Sequence, residues 1–251
     1  MNPLALIAQV EFPPIENIVE YPGFFNKIAV INLIAVVATS ALFLAAGAKK
    51  SLVPKGVQNF AETAVDFLRE GIIMQTIGAD GMRYLPFLAT LFFFILIGNI
   101  FEVIPTAHMP ANARMAGPAF MALLTWAFFI CVGVRHHGLK YFTGVLFPPG
   151  VPKALYLLVT PIELISTFIV RPFSLAVRLF ANMLAGHILL VTFSVLCITL
   201  FSASLLILVL PFSFGMLVGL TGFEIMVAFL QAYIFTILAA VYIGGALHPE
   251  H

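Results

Sequence analysis

Residues 171–201 read RPFSLAVRLFANMLAGHILLVTFSVLCITLF, and this stretch decides the architecture. It is far too long and apolar for a strand, yet it carries Arg171, Arg178, Asn182 and His187. Read outward, almost everything from Ala154 to Leu247 is apolar. A bilayer crossing takes roughly 20 residues. The small polar group Ser202, Ala203 and Ser204 suits a turn and divides the run into arms 154–203 and 205–247. Each arm exceeds one perpendicular crossing, so the pair is expected to form a long, steeply tilted antiparallel hairpin, with Pro161, Pro172 and Pro211 as kink points.

The remaining sequence agrees with this reading. Of 251 residues, 62% are hydrophobic and 9% are charged, too few charges to cover a water-soluble surface. The net charge of +1 gives no reason to expect nucleic acid. Residues 28–48 make a first span, followed by Lys49, Lys50 and Lys55. Over 57–73, Val57, Phe60, Ala61, Ala64, Phe67, Leu68 and Ile72 share one helical face, opposite Glu62, Asp66, Arg69 and Glu70. That pattern predicts an amphipathic helix at the membrane interface. Spans follow at 84–104 and 119–134, the second closed by Arg135, His136, His137 and Lys140.

The fold class is therefore an all-α integral membrane protein, a single membrane domain over residues 1–251. It has about five membrane segments and one interfacial helix. The chain starts without a basic leader and meets Pro13 and Pro14 early, so no cleaved signal peptide is expected. With the N-terminus outside, most loop lysines and arginines fall on the cytoplasmic side, which predicts a cytoplasmic C-terminus. Cys131 and Cys197 read as small buried hydrophobes, and His136 and His137 as solvated loop residues. No spacing suggests a nucleophile with its base or a metal motif, so neither a catalytic site, a metal nor a cofactor is expected.

The ionisable residues inside the apolar arms carry the functional signal. An arginine at mid-bilayer costs on the order of 3 kcal/mol and needs a partner or a task. Arg171, Ser174, Arg178 and Asn182 follow each other at helical offsets and form one polar stripe. His187, nine residues beyond Arg178, faces the opposite side of the same helix. In an antiparallel hairpin, setting Arg178 level with Gln231 and His187 level with Glu224 places the turn near residue 205 in both cases, where the serines already put it. Straight helices cannot make both contacts directly, so a bulge or a bridging water is expected.

The stretch Arg171–His187 resembles the signature of subunit a of F-type ATP synthases, the stator proton channel of the Fo sector. Leu230–Phe235 is similar to the family's second signature, and Asn99–Pro105 and Pro148–Lys153 carry further likeness. The resemblance extends over nearly all of the chain after Ile28. It implies that Arg178 is the family's essential arginine facing a ring of c subunits, with Asn182 and Gln231 as its polar neighbours. It also implies that His187 and Glu224 line a periplasmic half-channel, with Glu102, in the Asn99 motif, near the outer inlet. Glu163 and Ser174 resemble the cytoplasmic half-channel, although Glu163 stands one residue further from Arg178 than the family pattern leads us to expect.

The implied partners are the c-subunit ring, the peripheral-stalk subunit b, the rest of the F1Fo complex, lipid and protons. The implied location is a bacterial plasma membrane. The chain would then be a proton-channel subunit without a catalytic site of its own. A secondary transporter, in which Arg178 binds an anionic substrate, is the rival reading; copurification with a ring of small helical hairpins separates the two.

Overall fold

The computed structural model describes residues 27–48, 55–104, 112, 114–147, 155–202 and 206–248. In hydrocarbon each backbone N–H and C=O must find its partner within its own segment, and every long apolar run accordingly becomes a helix. Helix α1 is Lys27–Ala48. Helix α2, Val57–Leu68, continues through a π turn at Arg69–Ile73 and one more turn at Met74–Thr76. A 3-10 turn, Ala79–Tyr84, leads into α3, Leu85–Ile100. Helices α4, Ala116–His137, and α5, Lys140–Leu146, follow. Helix α6, Tyr156–Ile165, passes through a π turn at Ser166–Val170 into α7, Arg171–Ser202. After a 3-10 turn at Leu206–Leu208 comes α8, Leu210–Leu247.

Five of these stretches, among the described residues, are long and apolar enough to cross a membrane. The last two hold 46 and 38 residues, roughly 69 and 57 Å of helix at 1.5 Å per residue. A hydrocarbon layer about 30 Å thick accommodates them only when they incline steeply. They pair antiparallel, Asn182 of α7 meeting Gln231 of α8 and Gly186 meeting Glu224. The core that holds the hairpin draws Leu68, Ile72 and Ile73 from the α2 segment, Phe92 from α3, Phe129 from α4 and Phe235 from α8, all buried.

Several boundaries move for identifiable reasons. The α2 segment runs to Thr76, three residues past 73. Helix α3 stops at Ile100 rather than 104, because Glu102 and Val103 turn their N–H groups back to Asn99 and Ile100. Helix α4 is longer at both ends than 119–134; its last turn keeps His136, His137 and Arg135, a cation suited to the negative end of the helix dipole. Pro211 sits in the first turn of α8, where the missing N–H has no partner to lose, so it opens the helix rather than kinking it. Ala203 and Ser204 at the expected hairpin turn, the Pro148–Lys153 motif, Lys49, Lys50 and the first 26 residues lie outside the described residues.

The π turn before α7 has a cause in the sequence. Its closing N–H, that of Arg171, reaches back to Ser166, and the next position is Pro172, which has no N–H. The carbonyl of Thr167 is thereby left without a helical donor. Trp126 of α4 supplies one, its indole Nε1 donating to that oxygen at 3.1 Å. A π turn also holds about one residue more than an α turn, and it lies between Glu163 and Arg178.

Two expectations are corrected. Cys131 is exposed and Cys197 only half-buried; Cys131 lines a cavity beside Arg83 and Arg135 rather than the packed core. His137 is not simply solvated: its Nε2 lies 3.0 Å from the carbonyl of Leu247 and ties the end of α4 to the end of α8. His136 beside it is exposed.

Candidate functional site

Helix α7 is an uninterrupted α-helix from Arg171 to Ser202, so side-chain directions along it follow from spacing alone. Leu175, Leu179, Met183 and Leu190 are buried against the other helices. Arg178, Ala181 and Ala185 are exposed on the outer side. Asn182 stands between the two faces and donates from Nδ2 to Gln231 Oε1 at 3.3 Å. The structure thus places an arginine on the outer surface near the middle of the continuous Tyr156–Phe201 stretch, with an amide pair one turn further along.

No bulge separates Arg178 from His187, since the π turn lies before Arg171. Within this straight helix Asn182, one turn beyond Arg178, takes Gln231, and Gly186, next to His187, packs on Glu224. Any side-chain carbon at position 186 would collide with the Glu224 carboxylate. Glycine there opens the space into which this carboxylate fits. His187, adjacent to Gly186, is half-buried and makes a contact of its own.

Glu224 belongs to a buried polar cluster drawn from separate parts of the chain. Glu102, in the turn after α3, is 2% exposed, and Glu224 3%; the two are close enough for their charges to interact. Asn99, the last buried polar residue of α3, accepts on Oδ1 from Asn112 Nδ2 at 2.9 Å. Within this cluster Asn99 Nδ2, Asn112 Oδ1, Glu102 Oε1 and Glu224 Oε2 have no hydrogen-bond partner among the described residues. A buried polar atom left unpaired costs about 1–3 kcal/mol. Four so close together mark a place where water or a proton is the natural partner. Asn112 escaped the sequence reading because it sits in no periodic segment.

Toward the other end, Glu163 and Ser174 are half-buried. They precede Arg178 by fifteen and four residues on the same continuous helix, roughly 22 and 6 Å along its axis. Arg171 stands over the ring of Tyr242 at 5.3 Å, a cation–π contact between α7 and α8. Its charge also reaches Tyr141, whose phenol burial pushes above its ordinary pKa while Arg171 acts in the opposite sense. Arg171 is accounted for by packing between helices.

These features define a class: a multi-pass helical membrane protein with an outward arginine at mid-helix and a buried acidic cluster some turns away. The sequence profile of the ATP synthase A chain matches residues 28–244, and the chain belongs to that family. Among similar curated proteins, ATP synthase subunit a of Frankia alni is 42% identical over 91% of this chain and 80% of its own length. The subunit a proteins of Rhodococcus erythropolis and Nitrobacter hamburgensis are 41% and 39% identical, covering 95% and 90% of this chain and 88% and 90% of their own. Membership makes the chain a membrane-embedded stator subunit of the Fo sector, part of the machinery of proton transport and ATP synthesis.

Proposed function

We propose that the chain forms two offset half-channels that meet at Arg178, delivering protons to the carboxylates of a turning c ring and removing them again. The observation that carries this reading is the exposed guanidinium of Arg178 at mid-helix, flanked by Ala181 and Ala185. Small residues beside it let another helix approach closely. A rotor carboxylate facing lipid is driven to its neutral form by desolvation, and the nearby arginine favours its ionised form. Arginine suits this task because it keeps its charge at any accessible pH.

The outer path runs through Asn99, Asn112, Glu102, Glu224 and His187. Histidine fits an inlet because its unperturbed pKa near 6.5 lets it hand protons on at physiological pH. The inner path runs by Glu163 and Ser174. The Asn182–Gln231 hydrogen bond fixes α7 against α8 and so sets the depth of Arg178. Each 100 mV of membrane potential supplies about 2.3 kcal/mol per charge moved.

In this reading the chain has no catalytic site of its own and is one membrane domain in a bacterial plasma membrane, N-terminus outside and C-terminus cytoplasmic. It works against the c ring, the peripheral-stalk subunit b and the remainder of F1Fo. Arg178→Ala is expected to abolish ATP synthesis driven by an imposed proton gradient, measured in vesicles carrying a complex whose subunit content matches the unaltered one. Coupled synthesis retained in that variant would overturn the reading.

A further inference from the structure

A second place on the molecule has a chemistry that the proton path does not use. A cavity of about 650 Å³ opens between the 3-10 turn before α3 and the last turns of α4, lined by Arg83, Tyr84, Phe128, Arg135 and His136 among others. Arg83, Arg135 and His136 are exposed. Neither guanidinium has a carboxylate within salt-bridge distance among the described residues. The wall below them is aromatic: Phe128 stacks on Phe87 at 3.8 Å and meets the edge of Tyr84 at 6.1 Å. Tyr84 itself is buried. The site therefore has a cationic rim at the end of two apolar spans and an apolar wall running into them.

We propose that this groove binds an anionic phospholipid, its phosphate held among Arg83, Arg135 and His136 and an acyl chain lying along Phe128 and Tyr84. A soluble anion would have no use for the aromatic wall, and a zwitterionic lipid would bring its phosphate with a quaternary ammonium that two guanidinium groups repel. Both helix ends lie on the side that loop charge assigns to the cytoplasm, where anionic lipid attracts basic residues at membrane level. Arginine suits the task, since it presents five donors in a fork that matches phosphate oxygens. His137 anchors the last turn of α4 to α8 through Leu247, which holds Arg135 and His136 in place. The proposal does not depend on the proton path.

The test uses the complete complex in phosphatidylcholine vesicles containing a trace of photoactivatable phosphatidylglycerol or photoactivatable phosphatidylcholine, with crosslinked peptides identified by mass spectrometry. The glycerol lipid is expected to label residues around 83–87 and 128–136 several-fold more than the choline lipid, and unlabelled phosphatidylglycerol to suppress this. With about 1 kcal/mol per arginine and a factor of ten per 1.4 kcal/mol, Arg83→Ala/Arg135→Ala should need about 30-fold more phosphatidylglycerol for half-maximal labelling. Equal labelling by the two lipids overturns the proposal. So does suppression by inorganic phosphate alone, which would mark a free-anion site, or crosslinking of these peptides to another subunit in place of lipid. Should the double variant fail to assemble, the comparison of the two lipids on the unaltered complex still decides.

Discussion

At the scale of single residues, Gly186 shows how an absent side chain can be functional. Its missing Cβ leaves the volume that the Glu224 carboxylate fills. Alanine there should be tolerated by the fold, because the group in its way is the end of a flexible side chain. It would nevertheless push the carboxylate out of the buried cluster with Glu102 and Asn112. A displacement of about 1 Å at a reacting group can cost on the order of a hundredfold in rate. Gly186→Ala is therefore expected to lower proton-driven ATP synthesis by one to two orders of magnitude with normal assembly. Adding Glu224→Asp, which shortens the acid by one methylene, should recover part of the loss. No recovery in the double variant, or no loss in the single one, would show that the fit between these positions is unimportant.

At the scale of elements, the junction between α6 and α7 joins a local sequence fact to a tertiary contact. Pro172 withholds a donor, the π turn redirects another, and Trp126 from α4 repairs the deficit at Thr167. Trp126→Phe would keep an aromatic ring near Phe168, whose ring lies 5.9 Å away, but would strand the carbonyl. The expected cost is about 1–3 kcal/mol, read as a lower thermal midpoint of subunit dissociation in the purified complex. An unchanged midpoint would mean that the carbonyl finds another donor.

The same junction marks what could and could not be read from the sequence. The spans were legible because length and unbroken hydrophobicity leave the backbone no alternative in a bilayer. The pairing of the last two arms was nearly legible, because antiparallel geometry fixes depth. Gln231 hydrogen-bonds Asn182, four residues beyond the Arg178 set level with it, since depth alone does not fix which face turns inward, while Glu224 meets α7 at Gly186, beside His187. The Trp126 repair of the π turn, the role of Asn112 and the His137 tie were not legible, because each depends on a residue outside its own helix: Thr167, Asn99 and Leu247 respectively.

At the scale of the whole molecule, Arg178 stands along the helix between Glu163 and the acidic cluster at Glu224, the two regions that the proposed reading opens toward opposite sides. Along the helix axis, Gly186 with its acidic neighbours lies roughly 12 Å from Arg178, and Glu163 roughly 22 Å in the other direction. If both regions admit water, a proton moving directly from one to the other must pass the guanidinium. Two unit charges of like sign 4 Å apart, at an effective dielectric constant of about 20, repel by about 4 kcal/mol, close to a thousandfold in rate. This barrier is distinct from coupling, because it acts whether or not the rotor turns. With catalytic turnover arrested, Arg178→Ala should therefore dissipate an imposed pH gradient across vesicles much faster than the unaltered complex, by up to about a thousandfold. Arg178→Lys, which keeps a charge but not the fork of donors, should stay tight while synthesis still falls. A pH-sensitive dye trapped in the vesicles reads both. If the alanine variant holds its gradient as well as the arginine does, the two regions are not connected past position 178, and the barrier lies elsewhere in the protein.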